Sequence, residues 1–190
     1  MIDEETKVWI TSSEPHPEMV GKSLASVAAA WQISQREAAQ RLIPGGACYF
    51  QMHEDDVVRI MQHPRAMIGS DGIPHDTKPH PRLWGTFPRV LGEYVRHRRA
   101  LSLEVAVHKM TGLSANTFKL GNRGLIRPGM AGDLTIFDPD SIEDLADFQE
   151  PTRVSKGIEA VYVAGELTYD LHGRVLNRCG RFIARSMSTN

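Results

Sequence analysis

Met67–Glu93, MIGSDGIPHDTKPHPRLWGTFPRVLGE, is the stretch on which the reading of this chain turns. It opens within Ala66–Gly69, an apolar run too short for a helix and of a length suited to a buried strand. Ser70-Asp71-Gly72 ends that run, so Asp71 stands at the strand's carboxyl end, the edge at which α/β proteins place their chemistry. The loop beyond holds Pro74, His75, Asp76, Lys78, Pro79, His80, Pro81 and Arg82. Its prolines stiffen the backbone while ionisable side chains project from it. On spacing alone, Asp71 reads equally well as a turn or helix-capping residue of a surface loop. After the loop, Phe87, Val90, Leu91, Tyr94 and Val95 keep helical spacing, with Pro88 expected in the first turn, where its missing N–H costs nothing.

Upstream, Val8–Ser12 has strand composition and Glu14-Pro-His-Pro-Glu ends it. Leu24, Val27, Ala28 and Trp31 recur at i, i+3, i+4, i+7, the stripe of a helix with one buried face. Ser34 and Glu37 form a capping box for a second helix, stopped by Pro44-Gly45-Gly46. A strand is predicted over Ala47–Met52, then a helix opened by Glu54, Asp55 and Asp56 with Val57, Val58 and Met61 inward. Strand, helices, strand, helix, strand is a βαβ series, and it predicts an α/β fold with mostly parallel pairing. Downstream, Ser102 caps a helix for which Gly112 is the expected terminator, and Ser114–Leu120 is a short helix closed by Gly121. From Arg123 the chain turns to short β-runs, including a hairpin around Gly165-Glu166, with Asp140–Gly157 read as a polar loop. Three or four such strands are a marginal sheet, expected to complete one begun elsewhere.

GSDG followed by PHD and HPRLWGTFPRVLG resembles the eighth-strand segment of the N-acyl-D-amino-acid deacylases, the D-aminoacylases of the amidohydrolase superfamily. The likeness continues through Met110-Thr-Gly-Leu, Arg123–Leu134, Phe137-Asp-Pro and Val161-Tyr-Val-Ala-Gly-Glu. It covers most of Val8–Arg174 and corresponds to the C-terminal part of that family. What it implies is the C-terminal portion of a (β/α)8 metal-dependent hydrolase barrel over 1–122, incomplete, with part of a small β-sandwich domain over 123–190. A complete barrel takes about 250 residues, and this chain has 190.

The implied reaction is zinc-dependent hydrolysis of the amide of N-acyl-D-amino acids. By the resemblance, Asp71 is the general base and lies beside the metal as a possible ligand. Arg82, the arginine of the HPR motif, pairs with the substrate's α-carboxylate, which suits a guanidinium that grips both oxygens. His75 and His80 are the further candidates for substrate contact. Arg82 also admits the plain reading of a loop arginine paired with a nearby Asp or Glu, and the two histidines that of hydrogen-bonding loop residues. The family's remaining metal ligands, an early His-x-His pair, a cysteine and mid-barrel histidines, have no counterpart here. The expected partner is therefore an N-terminal barrel portion, supplied as a missing segment or a second chain, and the chain alone is expected to be inactive. Two alternatives stay open: a catalytically inactive fragment serving as a structural or assembly module, and a cyclic amidohydrolase of the dihydroorotase or hydantoinase type.

Composition narrows the remaining classes. Twenty-two Lys and Arg against 23 Asp and Glu leave a net charge of −1, with no field to recruit nucleic acid or an anionic membrane. Hydrophobic content of 41% and charged content of 24% are those of a soluble globular protein. Leu24–Ile33, the longest mainly apolar stretch, is too short to span a bilayer, and Met1-Ile-Asp-Glu-Glu is acidic where a signal peptide is basic, so the expected location is the cytoplasm. Cys48 and Cys179 stand far apart, give no metal knuckle, and are expected to be buried thiols. His16 reads as a loop histidine between prolines. His53-Glu54 is no zincin start, because Val57 stands where the second histidine belongs.

Overall fold

In the computed structural model, which describes residues 7–72, 78–172, 174–175 and 177–184, the chain divides into two units with separate cores. The first comprises Met1–Val57, Ser70–Gly85 and Leu145–Val154. Strand β1 (Val8–Ser13) pairs antiparallel with β2 (Gly45–Tyr49), with a register shift between Ile10 and Ser12. Helices α1 (Leu24–Trp31) and α2 (Gln35–Arg41) lie between them in sequence. Each helix starts where a serine hydroxyl replaces a missing backbone acceptor: Ser23 receives the Ser26 N–H and Ser34 the Glu37 N–H. The Glu37 carboxylate does not close the capping box; it pairs with Arg41 one turn on at 2.7 Å. Leu24, Val27 and Ala28 bury the predicted stripe against Val8, Ile10, Ala38 and Leu42.

The second unit comprises Val58–Gly69, Thr86–Asp144 and Ser155–Asn190. Helix α3 (Glu54–Gln62) begins in the first unit and ends in the second, as does α4 (Arg82–Arg89). Because α4 begins at Arg82, Pro88 falls inside the helix rather than in its first turn. It can neither donate to the preceding turn nor fit closely against it, and the helix continues in the wider π form over Val90–His97. Helices α5 (Leu103–Met110) and α6 (Gly112–Phe118) follow. Ser102 caps α5 as expected, accepting the Val105 N–H. Gly112 does not end α5 but starts α6, and the break falls on Thr111, at φ −128° and ψ −87°. Strands β3 (Leu134–Phe137), β4 (Ile158–Val163) and β5 (Glu166–Asp170) form an antiparallel sheet in the order 3-4-5. The β4–β5 turn sits on Ala164-Gly165, one residue earlier than expected, with φ of 54° and 83°.

Val90, Leu91, Leu101, Ala106 and Ile142 make the second core. Ile142 and Ala146 are both buried, so the stretch read as a polar loop contributes to packing. Lys109 is buried to 2% exposure, and its ammonium donates to the carbonyls of His63 at 2.6 Å and Ala66 at 3.0 Å. Its own carbonyl accepts the Ile68 N–H at 3.4 Å. One lysine thus fastens the segment 63–68 from both its side chain and its backbone.

Two further expectations need correcting. Every described strand pair is antiparallel, not parallel. Ala66–Gly69 is not a strand: among the described residues no strand runs beside it, and its backbone N–H groups bond the His63 carbonyl in a turn and the Lys109 carbonyl of α5. A strand exists by its ladder, and element order alone does not say which neighbours a chain will find. Among the described residues, no helix is long and apolar enough to cross a membrane.

Candidate active site

The loop and the start of α4 bring three of the four candidate residues together, all within the first unit. Pro79 and Pro81 are buried and anchor the backbone, while His80 between them is half-buried and Arg82 exposed. Burial of the two rings fixes the direction in which the ionisable side chains leave the chain. Asp71 sits at φ +46°, a left-handed conformation that Asp and Asn tolerate better than other non-glycine residues.

Arg82 holds Asp71 twice. Its Nη2 lies 3.0 Å from the Asp71 Oδ2, and its Nε donates to the Asp71 main-chain oxygen at 2.9 Å, across eleven positions of sequence. The plain reading of Arg82, a loop arginine paired with an acid, therefore holds in this structure, and the acid is the candidate base itself. His80 Nδ1 accepts the backbone N–H of Arg82 at 3.0 Å, which leaves the ring proton of the neutral imidazole on Nε2. Burial lowers the His80 pKa below the ordinary range, the Arg82 charge lowers it further, and the Asp71 carboxylate opposes both. A histidine that must accept a hydrogen bond is thereby kept neutral.

The sequence reading missed Phe148. Its ring meets His80 edge-on at 5.1 Å between centroids, and packs on Phe50 at 4.7 Å and Trp9 at 6.2 Å. On the same strand, Trp9 Nε1 and Thr11 Oγ1 are buried with no hydrogen-bond partner among the described residues. Lys78 and residues Gln149–Arg153 line an open groove of about 560 Å³ that includes none of Asp71, His80 or Arg82, so it does not mark the chemistry. His75 lies outside the described residues.

Among the described residues, no group of three or more His, Cys, Asp or Glu stands close enough to hold a metal ion. Asp71 contributes one carboxylate, already engaged by Arg82, so the described residues do not make up a zinc site. Cys48 and Cys179 are half-exposed, not buried as expected. His16 is the loop residue anticipated, bonded to Glu18 at 3.1 Å with its ring 4.8 Å from Trp31. Arg96 donates to the Pro139 and Ile142 carbonyls and Arg98 to Glu93.

Residues 19–169 match the amidohydrolase family. This chain belongs to that family. It is 47% identical over 186 residues to the N-acyl-D-glutamate deacylase of Alcaligenes xylosoxydans xylosoxydans, covering 98% of the chain and 38% of that protein. It is 45% identical over 179 residues to the N-acyl-D-aspartate deacylase of the same organism, covering 94% of the chain and 36% of that protein. Among solved structures it superposes on N-acyl-D-glutamate deacylase from Bordetella bronchiseptica with a TM-score of 0.83 and 51% identity, over 85% of this chain and 34% of that one. That structure was solved with zinc and a phosphonate inhibitor mimicking the tetrahedral intermediate. A crystal structure of D-aminoacylase gives a TM-score of 0.82 at 47% identity, over 90% of this chain and 38% of that one. The chain thus has the amidohydrolase-family fold and spans a little over a third of the length of the curated relatives it matches.

Proposed function

We propose that this chain supplies the general base and the carboxylate-binding arginine for hydrolysis of N-acyl-D-amino acids, as part of a longer or two-chain amidohydrolase. On this reading, residues 1–122 are the last strands and helices of a (β/α)8 barrel, and 123–190 belong to a small β-sandwich domain. That division concerns the whole enzyme and is distinct from the two contact units described above. The named relatives support the substrate class, since those of Alcaligenes are deacylases of N-acyl-D-glutamate and N-acyl-D-aspartate. The observation that carries the reading is the Arg82–Asp71 pair, because it joins an anion grip to a candidate base at one point.

The chemistry divides between the two side chains. Asp71 takes the proton from the attacking water and delivers it to the leaving nitrogen, so that a carboxylate and a free amine are released. Arg82 receives the substrate's α-carboxylate on the guanidinium face now held by Asp71, and the exchange frees the base. His75 and His80 flank the same loop as substrate contacts. The described residues do not make up a zinc site, so on this reading the metal is bound chiefly by the N-terminal barrel portion. The part of this chain is proton transfer and the anion grip.

The test is hydrolysis of N-acetyl-D-glutamate and its α-methyl ester by this chain completed with the N-terminal portion of a relative. Hydrolysis of the acid, loss of at least a hundredfold in Asp71→Asn, and a raised KM in Arg82→Lys are expected. Equal turnover of acid and ester would overturn the arginine's role, and an active Asp71→Asn enzyme that of the base. A second reading, an inactive assembly module, draws on the same pair, since a base held through both side chain and carbonyl also serves as a structural cap. It predicts no turnover by any completed enzyme.

A further inference from the structure

The contacts around His80 form a chain that ends on Arg82. Phe148 comes from the 145–154 segment, and its backbone is held by Asp147, whose Oδ1 accepts the N–H groups of Gln149 at 2.8 Å and Glu150 at 2.7 Å. Its ring is confined by Trp9 on β1 and by Phe50 just past β2, and Phe50 is itself covered by the Lys7 ammonium at 4.7 Å. A third aromatic contact of the Phe148 ring is the edge-on one to His80. A second tie joins the same two segments, since Lys78 Nζ donates to the Gln149 carbonyl at 3.3 Å. From His80 the path continues through Nδ1 to the backbone N–H of Arg82, the first residue of α4, and through the Arg82 Nε to Asp71.

Geometry requires the brace. An imidazole free to turn about its χ angles presents Nδ1 to Arg82 only part of the time, and each departure strips a helix-start N–H of its acceptor. Pro81, buried between the two residues, restrains the backbone but not the ring. An aromatic edge contact supplies the missing restraint.

We propose that Phe148 is a positioning residue of the candidate site: by bracing the His80 ring it keeps Nδ1 on the Arg82 backbone and so fixes where the guanidinium stands to receive a carboxylate. The proposal adds a positioning residue to the deacylase reading and rests on it only for the identity of the anion.

Two sets of measurements separate the proposal from that reading. On the 190-residue chain at pH 7.5, ring-nitrogen NMR, with His80 assigned by its loss in His80→Gln, is expected to show a single Nε2–H tautomer. The Arg82 Nε–H signal is expected to be resolved and slow to exchange. Phe148→Ala should give averaged His80 tautomers and an exchange-broadened Arg82 Nε–H, while Phe148→Tyr, which keeps the ring, should preserve both signals. Phe148→Leu, matching the apolar volume, guards against a collapsed core; it should behave as Phe148→Ala while the Val27 methyl signals stay native. An unchanged Arg82 Nε–H in Phe148→Ala or Phe148→Leu would overturn the proposal. In the completed enzyme, Phe148→Ala should raise KM for N-acetyl-D-glutamate about 10-fold or more with kcat within about threefold, with rescue in Phe148→Tyr. A loss confined to kcat would also overturn it. If the NMR results hold and no completed enzyme turns over substrate, the brace stands and the deacylase reading fails.

Discussion

Replacing Asp71 by Asn separates a structural role from a chemical one. Asn tolerates the left-handed φ of +46° at least as well as Asp, so the backbone carries no new strain. The Arg82 Nε bond is to the main-chain oxygen of residue 71 and survives the change, and the Asn amide oxygen still accepts from Nη2. What is lost is the charge on one partner of a pair whose side chains are 82% and 42% exposed for Asp71 and Arg82. Pairs so open to water contribute about 0.2–1 kcal/mol, and the loss of stability should stay below about 1 kcal/mol. Removal of a general base costs about 10²–10⁴ in rate, or roughly 2.7–5.4 kcal/mol in the barrier. The two scales are far enough apart to decide. Trp9, Trp31 and Trp84 all lie in the first unit, so tryptophan fluorescence during urea unfolding reports the stability of the unit that holds the site. Turnover in the completed enzyme reports the rate. A stability loss above about 2 kcal/mol, or a rate within tenfold of the wild type, would refute the assignment of Asp71 as an exposed base.

Three further outcomes are expected. His80, whose pKa is lowered by burial, by Arg82 and against Asp71, binds a proton less readily folded than unfolded. Its contribution is full above the unfolded pKa of about 6.5 and is lost as pH falls through the lower folded value, so His80→Asn should flatten the acid side of the stability profile; an unaltered profile contradicts this. Gly157→Ala places a Cβ 2.5 Å from the Ile142 Cα at a φ of +81°, and left-handed strain plus overpacking should cost about 2–4 kcal/mol, with a loss under about 1 kcal/mol by circular dichroism counting against it. Lys109→Met strips two carbonyls of a buried donor at about 1–3 kcal/mol each, and should speed amide exchange at Ile68; an unchanged exchange rate there would show that the lysine does not fasten the segment.

What could be read from sequence was local. Ser34 and Ser102 cap helices because capping needs only the next three residues, and the α1 stripe lies on one face because helical period is a property of the helix itself. Pairing is not local: β1 finds β2 across a reversal, while Ala66–Gly69, apolar and of strand length, is held by Lys109 instead. The π continuation after Pro88 was hidden because Phe87, Val90, Leu91, Tyr94 and Val95 suit an ordinary helical stripe equally well. Asp71, His80 and Arg82 were legible as candidates from their motif, and so was an acid partner for Arg82, though not that the partner is Asp71. Phe148 was not legible at all. It lies in a stretch whose neighbours are polar, and every ring it touches belongs to a distant part of the chain.

On the proposed function, the double hold of Arg82 on Asp71 lets one arginine serve both a base and a substrate. The bond from Nε to the main-chain oxygen keeps the guanidinium in place whichever carboxylate occupies its Nη2 side. An arriving α-carboxylate competes only with an exposed ion pair, and the cost of opening it, about 0.2–1 kcal/mol, is small beside what a bidentate arginine–carboxylate contact returns. On this reading, an anion that takes its position at Nη2 releases Asp71. Recognition of the substrate's carboxylate and release of the base are then one exchange at one guanidinium, which is why the placement of Arg82 by His80 and Phe148 bears on substrate binding.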